Sequence, residues 1–476
     1  MKVCTLYGDG YYYIPGTDTC IKIGGYLRAE ADVSAGGTLT PGVGPVIGGN
    51  RDYVMNRESQ QFVERTRFLW TFDTRTPTEY GLLRSYARTG IQWTTGDSVN
   101  VGSNASAYID RAFLQFGGLT AGRTVSFFDI YSFSLHSYNT NIIGSDSGGT
   151  GINLFAFTKE LGNGISASIS AEERTSRDKP VINTIGTAGF FNLAAANGLG
   201  TGTLSSQGGQ TLPNFVGNLR FDQAWGALQV SAAAHKVTPA YYSAGTAAAA
   251  GGAPLAIGGG AGGLTTLGHP DDAWGYAATI GTVLNLPTGK GDTFGAQFVY
   301  GKGASAYVGQ GQGSLIVYNG SDIALGFVTD GVYGPAGSSV ELTTGMSLTA
   351  GLQHYWSPNW RTSLYGGYER FEFNQTATNL LCTGLTTGPG SAANAGGFTP
   401  KNCSANFGFW QVGSRTIWNP VKDLDIGVDV LYNRIDTAFG GPVNLSANGT
   451  QPAGLRFAKD EGVLSAVFRV QRNFLP

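Results

Sequence analysis

The chain has 476 residues, a formal net charge of −2, 13% charged residues, 74 glycines and 12% aromatics. Charge is about half the usual share and glycine is far above the typical ~7%, which argues against ordinary soluble domains. The apolar share of 41% argues against general disorder, and the near-neutral balance excludes a global basic footprint for nucleic acid.

The first stretch, MKVCTLYGDGYYYIPGTDTC, lacks the apolar h-region of a secretory signal. The expectation is therefore a mature chain whose signal has been removed, Met1 being an addition for expression. Cys4, Cys20, Cys382 and Cys403 form two locally spaced pairs, which suits an oxidising compartment. Spacing alone allows three connectivities. In a barrel the first pair precedes the first strand and the second lies in a distant loop at the other mouth, so Cys4–Cys20 and Cys382–Cys403 are expected.

No apolar run approaches the ~18 residues of a membrane helix. A membrane β-strand needs only alternation over ~10 residues, and alternation begins at Cys20–Val33. There Ile21, Ile23, Leu27, Ala29 and Ala31 take one face, and Lys22, Tyr26, Arg28, Glu30 and Asp32 the other. Gln60–Asp73 sets Arg65 and Arg67 against Phe62, Phe68, Trp70 and Phe72; Tyr80–Trp93 places Arg84 and Arg88 in register. Two short strands, Arg111–Phe116 and Ala121–Asp129, meet at Gly117-Gly118-Leu119-Thr120. A long polar, aromatic loop follows, without Lys or Arg and with Asp146 well inside it.

Beyond it, Gly151–Lys159 and Ile165–Glu173 resume the pattern of long loop, strand, short turn and strand. Leu424–Arg434 and Gly462–Phe474 are the clearest late strands. Leu424, Val428, Val430, Leu464 and Phe468 are expected to face lipid, with Asp425 and Asp429 on a tolerant water side. No helix-period stretch competes. The turns count sixteen strands, seven short turns and eight longer loops. An even number with short turns on one rim is the outer-membrane arrangement, wide enough for an aqueous bore. The loops near Ala35–Asn50, Arg174–Pro213, Thr238–Asp272, Gly303–Ser339, Asn374–Ala405 and Asp436–Ala453 are expected to face outside.

Arginine is the strongest chemical signal. Ten of the 20 arginines lie from Arg28 to Arg123, and no lysine lies between Ile23 and Thr158. A solvated face normally mixes in lysine, whereas the rigid, permanently charged guanidinium suits a fixed wall, and rings of charge filter ions in pores. The expected site is a basic wall of Arg28, Arg65, Arg67, Arg84, Arg88, Arg111 and Arg123, faced by Asp129 and Asp146 on a constriction loop at 130–150. His136, His235, His269 and His354 match no metal spacing, no Gly-x-Ser-x-Gly elbow occurs, and Thr288-Gly289-Lys290-Gly291 lacks the rest of a nucleotide loop. No enzyme activity, cofactor or metal is expected.

CTLYGDGYYYIPGTDTCIKIGGYLRAEADV at Cys4–Val33 resembles the N-terminal signature of alphaproteobacterial, Rhizobiales-type porins. RAFLQFGGLTAGRTVSFFD resembles that family's approach to its constriction loop, and FRVQRNFLP its last strand. The departure is that Phe474 is followed by Leu475 and Pro476. The resemblance implies an all-β fold: a sixteen-stranded antiparallel transmembrane β-barrel at 20–476 with an inward third loop, preceded by segment 1–19. It implies a homotrimer in the outer membrane of a Gram-negative bacterium, in contact with lipid and lipopolysaccharide. Small hydrophilic solutes and ions would cross passively. The alternative is a substrate-specific channel, with Tyr131, Phe133 and Tyr138 as a sugar track.

Overall fold

In the structure, a computed structural model, the alternating stretches become sixteen strands of one closed antiparallel sheet. The residues described are 2–35, 62–95, 104–138, 143–145, 151–184, 207–242, 265–309, 314–319, 322–387, 404–437, 440–445 and 454–474. The strands are β1 Cys20–Ala35, β2 Phe62–Thr78, β3 Gly81–Thr94, β4 Asn104–Phe116, β5 Leu119–Thr124, β6 Ile152–Gly162, β7 Ile165–Glu172 and β8 Asn214–Gln223. They continue as β9 Gly226–Val237, β10 Ala273–Asn285, β11 Thr293–Lys302, β12 Thr344–Ser357, β13 Trp360–Glu372, β14 Phe407–Trp418, β15 Leu424–Thr437 and β16 Glu461–Phe474. β16 pairs back onto β1 from Gly25↔Phe474 to Ala35↔Leu464. Closure satisfies the backbone of every strand inside the sheet, which hydrocarbon requires.

The outer face is apolar. Val428, Val430, Leu464 and Phe468 are 44%, 41%, 46% and 48% exposed, and Leu424 shares the parity of Val428 and Val430. Val430 lies mid-strand, so Val430→Arg should cost about 2–4 kcal/mol in denaturant unfolding from lipid bilayers. A loss near zero would take this face out of the hydrocarbon. On the inner face, the expected tolerance at Asp429 is corrected: its side chain is fully buried and accepts hydrogen bonds described below.

Several details differ from the sequence reading. β4 starts at Asn104. β5 ends at Thr124 rather than running to Asp129. Glu172, at the end of β7, turns the chain there: Ser126 Oγ donates to its Oε2 at 2.6 Å and the Phe127 amide to its Oε1 at 2.9 Å. A β-bulge skips Asp110, since Arg88 pairs with Arg111 and Thr89 with Ile109. Bulges re-aim side chains, and here both Asp110 and Arg111 are buried.

Two helices also occur in the long loops, Ser305–Val308 and Gln375–Thr387. The second is capped by Asn374, whose Oδ1 accepts from the Ala377 amide at 2.8 Å.

Loop six, at 303–343, does not stay outside. Ser305–Val308 is buried. The hairpin of Ser314–Asn319 and Asp322–Phe327 packs on β14–β16. Ala324 and Val328 join a buried cluster with Phe407, Phe409, Leu431 and Ile435 on the inner faces of β14 and β15. The described start of loop four, 173–184, turns in as well. Its Val181–Asn183 pairs in parallel with Gly331–Tyr333 of loop six.

The Cys4–Cys20 disulfide is present. Cys382 is also disulfide-bonded, while Cys403 lies outside the described residues. The disulfide-closed N-terminal segment docks at the short-turn end: Tyr12–Tyr13 pairs with Cys20–Ile21, and Tyr11 Oη donates to Asp73 Oδ2 at 2.8 Å. Burial, then the neighbouring Asp73 carboxylate, pushes the Tyr11 hydroxyl up to about 12, so it remains a donor.

Candidate pore site

The described residues of loop three after β5, 125–138 and 143–145, lie along the inner faces of β10–β16. Small residues make its bed. Gly295 and Gly351 pair across β11 and β12. A Cβ at Gly295 would come within 2.3 Å of the Tyr131 ring, and one at Gly351 within 2.4 Å of both His136 Nδ1 and Tyr131 Oη. Any larger residue at either position would displace the loop.

Polar groups then hook it to the wall. Gln297 Oε1 accepts from the Ile130 amide at 3.0 Å. Arg415 on β14 donates to the Leu135 carbonyl at 2.7 Å and the Ser137 carbonyl at 3.3 Å. Asp429 on β15 accepts from Ser137 Oγ at 2.9 Å, Tyr365 Oη at 2.6 Å and the Tyr138 amide. Arg469 on β16 donates to the Tyr138 carbonyl at 3.2 Å and lies 3.9 Å from the centre of the Tyr138 ring. Of the aromatics of the alternative sugar track, Tyr131 is buried, Tyr138 lies between Arg415 and Arg469, and the Phe133 side chain lies outside the described set.

Of the two predicted loop acids, Asp129 is buried against Arg177 of loop four, 3.0 Å from its Nη2. This partner is not among the seven predicted arginines. Arg177 also donates to Ser145 Oγ at 2.8 Å and to the Ala306 carbonyl at 3.2 Å, so one guanidinium joins loops three, four and six. Asp146 lies outside the described residues.

Six of the seven predicted arginines share the inner face of β1–β4: Arg28, Arg65, Arg67, Arg84, Arg88 and Arg111. Arg75 joins them. Strand neighbours hold them in place. Glu30 meets Arg28 at 3.9 Å and Arg65 at 3.6 Å; Asp73 meets Arg84 at 2.8 Å and Arg75 at 3.2 Å; Asp110 meets Arg88 at 3.4 Å. Gln92 accepts from Arg67 at 2.7 Å. These faces carry seven guanidiniums and the Lys22 ammonium against the carboxylates of Glu30, Asp32, Asp73 and Asp110. Net positive charge therefore lines this side.

Arg123 is the exception and is corrected. It pairs with Ala112 and Asn153, in the parity of the exposed Leu114, Leu119 and Phe155. It thus sits on the outer face, bonded to the Ile109 carbonyl at 3.1 Å and to Glu173 at 3.5 Å.

Exposure divides the bore. The Arg28, Arg65, Arg84 and Arg88 side chains are 13%, 14%, 25% and 34% exposed. On the opposite wall Glu369, Asp429 and Asn433 are fully buried under the loops. Water-accessible space therefore lies against the arginines. Sequence reasoning missed Asp429, Arg415, Arg469 and Arg177. The glycines at inner parity on β11 and β12 were the signal for something packed inside.

His136 titrates within this bed. Burial, then the positive Arg415, pushes its imidazole down to about 4 from its ordinary 6.5. A released loop would take up a proton below 6.5, whereas the docked loop resists until near 4. Docking is therefore fully stabilised above about pH 6.5 and weakens as pH falls towards 4. Single-channel noise should rise over that window, and His136→Gln should flatten the dependence. Noise that rises equally in the variant would assign the titration to another group.

Residues 1–460 match the profile of the Porin subfamily. The chain is 26% identical to Porin Omp2b of Brucella suis biovar 1 over 234 residues, 48% of this chain and 54% of that protein. The figures for Porin Omp2b of Brucella abortus (strain 2308) are the same. The chain thus spans about half the length of these curated relatives. Among solved structures it is similar in fold to the outer membrane channel DcaP of Acinetobacter baumannii. That likeness has a TM-score of 0.57 at 14% identity and covers 97% of this chain and 99% of that one. A closed sixteen-stranded barrel and a family match along nearly its whole length agree: the chain belongs to the Porin subfamily, and its barrel is one of the Gram-negative outer membrane.

Proposed function

We propose that the protein is a diffusion porin, a passive water-filled channel for small hydrophilic solutes and ions. Loop three narrows the bore, and the wall of β1–β4 favours anions. The observation that carries this reading is the asymmetry of the interior: part-exposed guanidiniums on one side, fully buried polar groups under loops on the other. Charges across a narrow gap with low-dielectric walls are screened less than on an open surface. A net positive wall therefore raises the local anion concentration. Homotrimeric assembly in lipid and lipopolysaccharide belongs to the same proposal and rests on family membership. Single-channel recording of the purified protein in planar bilayers tests it. Stepwise, ohmic conductance with anion preference is expected; folded protein that yields no steps would overturn it.

A further inference from the structure

We propose that Asp178, His235 and Asp330 bind one divalent d-block cation of the Zn2+ type, and that this ion fastens loops four and six to the barrel wall. Three separate elements bring the groups together: Asp178 comes from loop four, His235 from the inner face of β9, and Asp330 from loop six. One ligand atom of each lies within 4.8 Å of the others. His235 Nε2 is 3.3 Å from Asp330 Oδ2 and 3.6 Å from Asp178 Oδ1. Metal–ligand bonds of about 2.1 Å at tetrahedral angles separate neighbouring ligand atoms by roughly 3.4 Å. The two measured separations bracket that value.

The imidazole is prepared as a ligand. Its Nδ1 is 2.8 Å from Asn214 Oδ1. The amide oxygen can only accept there, so the ring proton is on Nδ1 and the Nε2 lone pair is free. His235 is fully buried, and Nε2 has no hydrogen-bond partner. A buried lone pair aimed at two carboxylate oxygens is repulsive unless something positive lies between them. A ring nitrogen whose opposite N–H is held by an oxygen acceptor is the usual arrangement of a metal-bound histidine.

The carboxylates are preset as well. Asp330 is buried, accepting from the Lys179 amide at 2.7 Å on Oδ2 and from the Ser305 amide at 2.8 Å on Oδ1. Asp178 accepts from Arg174 Nε at 2.6 Å on Oδ1 and from Gln210 Nε2 at 2.7 Å on Oδ2. Each proposed ligand oxygen holds one donor and keeps a second lone pair. Arg174 already offsets the charge of Asp178, and the mixed N/O ligand set suits a borderline cation better than calcium. A position beyond the three remains for water.

Equilibrium dialysis of the folded, chelator-stripped barrel against Zn2+ alone, with metal counted by mass spectrometry, tests this. One ion per chain is expected. Affinity should fall at least tenfold in His235→Gln and in Asp178→Asn, and about 10–100-fold in Asn214→Ala, which removes only the group orienting the ring. Asp178 lies on a loop, so that variant leaves the barrel wall intact. Co2+ in place of Zn2+ should give the intense visible bands of a tetrahedral site, absent from Asp178→Asn. No stoichiometric metal, or metal retained equally by both the His235→Gln and Asp178→Asn barrels, would overturn the proposal.

Discussion

Replacing Arg65, Arg67, Arg84 and Arg88 together with serine is expected to move the reversal potential in a salt gradient toward cation preference, abolishing the preference for anions. The inner faces of β1–β4 carry seven guanidiniums, the Lys22 ammonium and four carboxylates. The substitution leaves Lys22, Arg28, Arg75 and Arg111 against Glu30, Asp32, Asp73 and Asp110, so net charge on this wall falls from positive to about zero. Glu30 retains Arg28 and Arg469, and Asp73 retains Arg75 and Tyr11, while Asp110 loses its ion pair with Arg88. The barrel should therefore still close. Arg123→Ser is the matched control, since that residue is on the outer face beside Glu173, and it should leave the potential unchanged. A potential that stays put in the quadruple variant would move the selectivity filter away from this wall.

Asp429→Ala is expected to raise single-channel conductance and admit larger sugars in liposome swelling. The side chain accepts from Ser137, Tyr138 and Tyr365 and is fully buried. Its removal deletes three hydrogen bonds at once, and a buried donor left unsatisfied costs about 1–3 kcal/mol, so the middle of loop three is loosened. Arg415 and Arg469 still hold neighbouring carbonyls, so partial release with noisy, enlarged conductance is the expected form. Deleting residues 132–146 should enlarge the channel further. Val428→Ala, on the lipid face of the same strand, should do neither. An unchanged sugar limit in both the point variant and the deletion would show that the narrowest gap is not set by loop three.

The barrel itself was legible because period-2 alternation is a local property. β1, β2, β3, β15 and β16 each carry it over more than ten residues, and the paired Arg65 with Arg67 and Arg84 with Arg88 inherit their face from it. Arg123 was misplaced because β5 has only six residues and alternates poorly. The bulge at Asp110 was invisible for the opposite reason: one extra residue breaks the parity on which the whole method rests. Inward loops are long-range packing, and no periodicity reports them. Their trace in the sequence is indirect. Phe407 and Phe409 share inner parity with Gln411 and Arg415 on β14, and Leu431 and Ile435 share it with Asp429 on β15. An apolar patch on a face that should meet water signals a cover. The partner of Asp129 could not be read because Arg177 lies in loop four, 48 residues further on.

The seam between β1 and β16 has a kinetic consequence. Arg28 Nε donates to Gln471 Oε1 across 443 residues of sequence, and the strand pairing runs unbroken beside it. Until that seam forms, the sheet has two bare edges whose backbone groups hydrocarbon cannot satisfy. The seam is also the pairing of greatest contact order in the molecule, so its loop-closure entropy must be met before it returns any stabilisation. Half-inserted barrels are therefore poorly populated, and membrane entry and ring closure become a single cooperative step.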